Sequence, residues 1–207
     1  MTDLLCINGS IRDGDSRSRL LADHLIEAFR STDRLGLLAA RDVGIDPPAA
    51  PTEAFVVANH TDPSSRTEAD RAVLAESDAL IEEFLAAQLI VVATPMYNFS
   101  AGPGLKAWVD NLIRKDRTFR ATPSGIERLA EGKRMVVIST RGLAYGPGSP
   151  FAECDHLTGW IRDIFGLIGV DDIDFVTADN LDFATPADAD ASIAAAKASI
   201  DQLVASW

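Results

Sequence analysis

The chain has 207 residues, a length that favours one domain spanning 1–207 and can bury a core without disulfide or metal support. Its 47% hydrophobic and 24% charged fractions exclude a disordered chain. With 19 Lys and Arg against 31 Asp and Glu, the net charge of −12 makes nucleic acid and anionic membrane surfaces poor partners.

Residues 4–8 form a short apolar run ending at Gly9-Ser10, which reads as a buried strand. Leu20, Leu21, His24, Leu25, Ala28 and Phe29 then repeat at helical spacing and define one apolar stripe. On that stripe His24 reads as a satisfied core histidine rather than a base. Residues 35–43 suggest a second strand. Residues 46–65 carry Pro47, Pro48, Pro51 and Pro63 with little periodicity and read as a surface excursion. A helix is expected over 66–87, burying Val73, Leu74, Leu80, Ile81, Phe84 and Leu85.

Residues 88–94 are continuous and β-branched, as in the centre of a parallel sheet covered on both faces. A helix over 103–113 follows, with Pro103 suited to a first turn. Residues 114–131 are charged and read as irregular. Then come a strand at 135–139, a glycine-containing loop at 140–150, a helix at 156–168, a strand at 173–177 and a closing helix at 188–207. Five strands alternating with five helices imply an α/β fold, a doubly wound parallel sheet with helices on both faces. Ligands bind such sheets beyond the carboxyl ends of the strands, at the topological switch point.

The longest apolar runs, such as 89–93, fall far short of the ~20 residues of a membrane helix. The N-terminus has no basic segment followed by a long apolar core, so the cytosol is the expected compartment. Cys6 and Cys154 are too few and too far apart for a disulfide framework, and Cys6 reads as a buried small hydrophobe. No zinc-ligand spacing, Gly-x-Ser-x-Gly elbow or Gly-Lys-Ser/Thr phosphate loop occurs.

Three loops therefore carry the functional reading. The loop after the first strand holds Ser10, Ser16, Arg17 and Ser18, with Gly9 and Gly14 allowing tight turns, and runs directly into a helix. It is either a phosphate cradle at a helix N-terminus or a solvated loop with a serine N-cap. The loop after the third strand holds Pro95, Met96, Tyr97, Asn98 and Phe99, which suit a flat aromatic ligand or simply tuck into the core. Gly102-Pro103-Gly104-Leu105-Lys106-Ala107 formally matches a dinucleotide fingerprint. It lies too far beyond its strand, and Pro103 removes an N–H, so it reads as a helix start. The loop at Thr140, Arg141, Gly142 and Leu143 offers a hydroxyl, a guanidinium and flexible backbone at the same edge, or a solvated arginine.

In order and spacing these loops resemble the FMN-dependent NADH:quinone oxidoreductases, also called FMN-dependent azoreductases. Thr118-Phe119-Arg120 with Gly125, and Phe165-Gly166-Leu167-Ile168-Gly169, add to the match. The resemblance implies a flavodoxin-like sheet of order 2-1-3-4-5, a homodimer with each site near the subunit interface, and NADH or NADPH as electron donor. It implies that Ser10, Ser16, Arg17 and Ser18 hold the FMN phosphate. Pro95 to Phe99 would line the isoalloxazine, with Asn98 steadying its reduced form, and Thr140 to Leu143 would approach the pyrimidine side. Phe119 and Ala121 are expected in the substrate pocket. The sequence departs from the family at Thr140, where serine is usual, at Leu143, where a second glycine is usual, and at Ala121, where tyrosine is common. The expected reaction is two-electron transfer from NAD(P)H to quinones or azo compounds by a ping-pong course, with no side chain as general acid or base. The alternatives are a flavin reductase, a flavodoxin-type electron carrier and a flavin-free binding module.

Overall fold

The computed structural model describes residues 1–207. Its central sheet comprises β1 (Thr2–Asn8), β2 (Leu35–Asp42), β3 (Leu89–Pro95), β6 (Arg134–Thr140) and β7 (Asp172–Ala178). These strands are all parallel and lie in the order β2-β1-β3-β6-β7. That is the 2-1-3-4-5 order the family resemblance implies, with a hairpin inserted between the third and fourth sheet strands.

Strand periodicity sorts the core into two layers. Leu5, Ile7, Ile90, Val92, Met135 and Val137 face α3 (Glu68–Ala86), α4 (Pro103–Leu112) and α5 (His156–Ile168). Their neighbours Leu4, Cys6, Leu89, Val91, Val136 and Ile138 face α1 (Arg17–Arg30) and α6 (Pro186–Ala205). Burial on both faces explains why β3 reads as an unbroken apolar run. Cys6 is part of this core, and burial pushes its thiol up to about 12.

Five expectations are corrected. Within the proline-rich stretch lies α2 (Glu53–His60), capped by the Thr52 hydroxyl on the Phe55 N–H and anchored by buried Phe55 and Ala58. The charged stretch 114–131 contains an antiparallel hairpin, β4 (Phe119–Thr122) paired with β5 (Gly125–Arg128). The tally is therefore seven strands and six α-helices. Leu20 and Val73, placed on buried stripes by spacing, are 45% and 40% exposed, because each lies at the margin of its helix face. His24 lies at the edge of the core rather than within it, its Nε2 2.8 Å from Asp201 on α6.

The chain leaves β1 for β2 on one side and reaches β3 on the other, so the switch point falls between the ends of β1 and β3. There the Gly9 N–H donates to the Ala93 carbonyl at 2.8 Å, after which the two loops diverge.

Candidate functional site

A cleft of about 140 Å³ opens at this switch point, lined by Ser10, Arg12, Asp15, Ser16, Arg17, Pro95, Met96, Tyr97, Thr140, Arg141, Gly142, Leu181 and Asp182. It gathers most of the residues singled out from sequence. A hollow of about 730 Å³ adjoins it on the outer side of the serine loop, and one of about 630 Å³ lies at the opposite end of the sheet around Arg134 and Trp207. The cations of the latter are already engaged, Arg128 with Asp171, Arg134 with Asp172 and Asp174, and Arg34 and Lys133 with main-chain carbonyls, whereas the switch-point cleft presents unpaired donors.

The serine loop is built from the inside. Ser16 is the N-cap of α1, its Oγ accepting from the Arg19 N–H at 3.4 Å, and lies 3.2 Å from the buried Ser18 Oγ. The N–H groups of Arg17 and Ser18 find no acceptor in the protein, as expected of a helix's first turn. They create a patch of positive potential beside two hydroxyls. Gly9 and Gly14 do not take a positive φ, so left-handed turns are not what they supply.

Sequence reasoning missed three residues that shape this loop. Arg19 holds Asp42 through two hydrogen bonds of 2.5 and 2.8 Å and also donates to the carbonyls of Ser10 and Arg12. That hydrogen bond holds the Asp42 carboxyl below the usual carboxylate range and raises Arg19 in turn. Gly44, just beyond β2, lies under Ser10, where a Cβ would meet the Ser10 carbonyl oxygen at 2.0 Å. Nothing local in the sequence signals either role, since both depend on β2 lying beside β1.

The loop after β3 is a tight reversal. Tyr97 and Ser100 exchange two backbone hydrogen bonds of 3.0 Å, and both central residues are left-handed, Asn98 at φ 47° and Phe99 at φ 71°. Asn tolerates that region, whereas for Phe99 it costs on the order of 1–3 kcal/mol. The strain is held by surroundings: the His156 N–H donates to the Phe99 carbonyl, and the Phe99 ring meets Tyr145 edge-on at 6.2 Å. Tyr97 joins this turn to the serine loop, its hydroxyl accepting from the Ile11 N–H at 3.3 Å. Gly102 and Pro103 begin α4, in agreement with rejection of the dinucleotide fingerprint.

In the third loop Arg141 is buried rather than solvated. Its Nη2 lies 3.0 Å from both Asp155 and Thr158, its Nε bonds Ser139, and Asp179 lies at 3.8 Å. Burial works to raise Asp155, but bonds from Thr158 and the charge of Arg141 outweigh it and hold the carboxyl low. The Leu143 backbone has no positive φ, so a side chain fits there without strain. Gly142 is the tighter position, since a Cβ would come within 3.0 Å of Asp182.

Asn98 and Phe99 are exposed beside the cleft rather than within its walls, and Ser18 and Leu143 flank it. Phe119 packs on the core from β4 and Ala121 is exposed on the same strand; neither lines this cleft.

A family model described as flavodoxin-like fold matches residues 2–204. Across 208 residues the chain is 34% identical to FMN-dependent NADH:quinone oxidoreductase 2 of Trichormus variabilis, covering all of both chains. It is 38% identical over 185 residues to FMN-dependent NAD(P)H:quinone oxidoreductase 1 of Pseudomonas aeruginosa, covering 86% of this chain and 87% of that one. The chain belongs to the FMN-dependent NADH:quinone oxidoreductase family. Membership agrees with the oxidoreductase that the resemblance implied.

Among solved structures, the azoreductase of Bacillus anthracis strain Sterne superposes with a TM-score of 0.90 at 19% identity over the full length of both chains. An FMN-dependent NADH-azoreductase of Bacillus anthracis in complex with FMN gives 0.87 at 20% identity, covering 99% of this chain and 98% of that one. At that identity these likenesses bear on the fold. No helix of the chain is long and apolar enough to cross a membrane.

Proposed function

We propose that the protein is an FMN-dependent oxidoreductase that passes two electrons from NAD(P)H to quinones or azo compounds. The observation that carries this reading is the meeting, at one switch point, of an anion cradle at the start of α1 with the reversed Tyr97–Ser100 turn.

The residues present fit FMN. Unpaired main-chain N–H groups at Arg17 and Ser18, with the Ser10, Ser16 and Ser18 hydroxyls, suit its phosphate. Further unpaired N–H groups at Asn98, Phe99, Gly142 and Leu143 suit the polar edge of its ring. When bound, FMN would supply the redox chemistry, taking a hydride equivalent from a nicotinamide and returning two electrons to an acceptor.

The chain's own residues position and stabilise. Pro95, Met96 and Tyr97 form one wall, and the strained turn fixes the main-chain N–H groups of Asn98 and Phe99 without reorganisation during reaction. The buried Arg141 pairs hold Thr140 and Gly142 in place opposite.

With one cleft serving donor and acceptor in turn, the kinetics are ping-pong. Initial rates with varied NADH at several quinone concentrations are expected to give parallel reciprocal lines, and intersecting lines would contradict this. Fast turnover with quinone and slow turnover with free FMN would separate the enzyme from a flavin reductase. Slow oxidation of NADH under all conditions would indicate an electron carrier.

A homodimer belongs to the same reading. Exposed Leu37, Ile45, Val56 and Val57 leave apolar surface for a partner to cover. Sedimentation velocity of the FMN-loaded protein is expected to show twice the chain mass, and a monomer at micromolar concentration would contradict it.

A further inference from the structure

Four guanidinium groups surround the serine loop, and their partners divide them sharply. Arg17, the arginine first expected to meet the phosphate, donates to the Leu181 carbonyl at 2.7 Å and the Asp182 carboxylate at 3.2 Å. Arg19 is held by Asp42, and Arg141 by Asp155 and Asp179. Arg12 is different. It lines the cleft and its main-chain N–H donates to the Ser10 hydroxyl at 3.2 Å, yet its side chain enters no ion pair or hydrogen bond.

Charge sharpens the contrast. The pairs Arg17–Asp182 and Arg19–Asp42 each sum to zero, and Arg141 faces two carboxylates. Asp15 also lines the cleft and pairs with no cation. The side-chain charge around the cradle, which also includes unpaired Asp13, stays negative, and Arg12 is the one cationic side chain there free to meet an anion, in a chain whose net charge is already −12. Such a field repels a dianionic phosphate, which without Arg12 the hydroxyls and main-chain N–H groups would have to hold alone.

We infer that Arg12 supplies the side-chain counter-charge for the phosphate of FMN, and so sets the preference for FMN over riboflavin. Arg17 contributes its main-chain N–H, while its side chain is a strut joining α1 to the Leu181–Asp182 turn. This rests on the reading of the cleft as the FMN site.

The test is equilibrium binding of FMN and of riboflavin to apoprotein, followed by flavin fluorescence, for the unaltered protein, Arg12→Gln, Arg12→Lys and Arg17→Gln at two salt concentrations. Arg12→Gln is expected to weaken FMN about tenfold to a hundredfold, to leave riboflavin within about twofold, and to flatten the salt dependence. Arg12→Lys should recover part of the loss as a point charge. Arg17→Gln should shift both flavins by similar factors. Thermal melts of each apoprotein report whether the fold is kept. Unchanged FMN affinity in Arg12→Gln, with tight FMN binding in the unaltered protein, overturns the role of Arg12 alone. Equal losses for FMN and riboflavin in that variant do the same. Failure of the unaltered protein to bind FMN overturns both this role and the site reading beneath it.

Discussion

Gly44 and Ser10 are separated by 34 positions and by the whole of α1, yet a methyl group on Gly44 would lie 2.0 Å from the Ser10 carbonyl oxygen. The end of β2 thus sets the height at which the serine loop leaves β1. Because the clash is with backbone, no side-chain rotation relieves it. Gly44→Ala is expected to destabilise the apoprotein by about 1–3 kcal/mol, as overpacking does. It should also weaken FMN binding by lifting Ser10. Urea unfolding and flavin titration check the two effects; a variant with unaltered midpoint would contradict the contact.

The Arg19–Asp42 pair makes a prediction for acid. Asp42 is held below its ordinary value by the Arg19 hydrogen bonds, so its contribution to stability is complete above the unfolded pKa of about 4 and lost as pH falls through the lower folded value. Asp42→Asn should therefore melt lower than the unaltered protein at pH 7, with the gap narrowing below about pH 4. Thermal melts from pH 7 to 2.5 measure it. A gap independent of pH would show that packing, not charge, is what Asp42 supplies.

Stability and function are expected to part at Asn98. Asn98→Gly keeps the left-handed backbone at lower cost, so the protein should be as stable as before or firmer by roughly 0.5 kcal/mol. Loss of the amide should nonetheless slow flavin reduction by NADH about tenfold. Stopped-flow reduction beside thermal melts tests this. Unchanged reduction would remove Asn98 from the site.

Acceptor preference is expected to depend on an aromatic run beside the cleft. Phe99 meets Tyr145 at 6.2 Å, and Tyr145 meets Phe151 at 6.4 Å, with Phe99 and Phe151 both exposed. A bicyclic quinone can extend over this run and a monocyclic one reaches less of it. Phe151→Ala should lower kcat/KM for a naphthoquinone about three- to tenfold more than for a benzoquinone. Equal effects on both acceptors would place Phe151 outside substrate recognition.

The parts legible in the sequence are those whose signal is local. β3 is legible because both its faces are buried, and α1 because its apolar spacing is helical. Sheet alternation then places the three loops at one edge. By contrast α2 hides among prolines, although Thr52 with Phe55 three residues on is a readable start. The β4–β5 hairpin hides because its strands are four residues each and mostly exposed. Arg19 and Gly44 are silent because their partners lie far along the chain. Arg17 and Arg141 are legible as cations but not as cations already neutralised, since Asp182, Asp155 and Asp179 come from later elements.

On this reading the switch-point cleft holds FMN and exchanges electrons with a nicotinamide and an acceptor. The most direct measurement is the visible spectrum of the protein reconstituted with FMN and desalted, followed under anaerobic conditions as NADH and then a simple quinone are added. Retained flavin bands that bleach with NADH and return with quinone are expected. A colourless protein after desalting, or flavin bands that neither NADH nor NADPH bleaches, would contradict the claim.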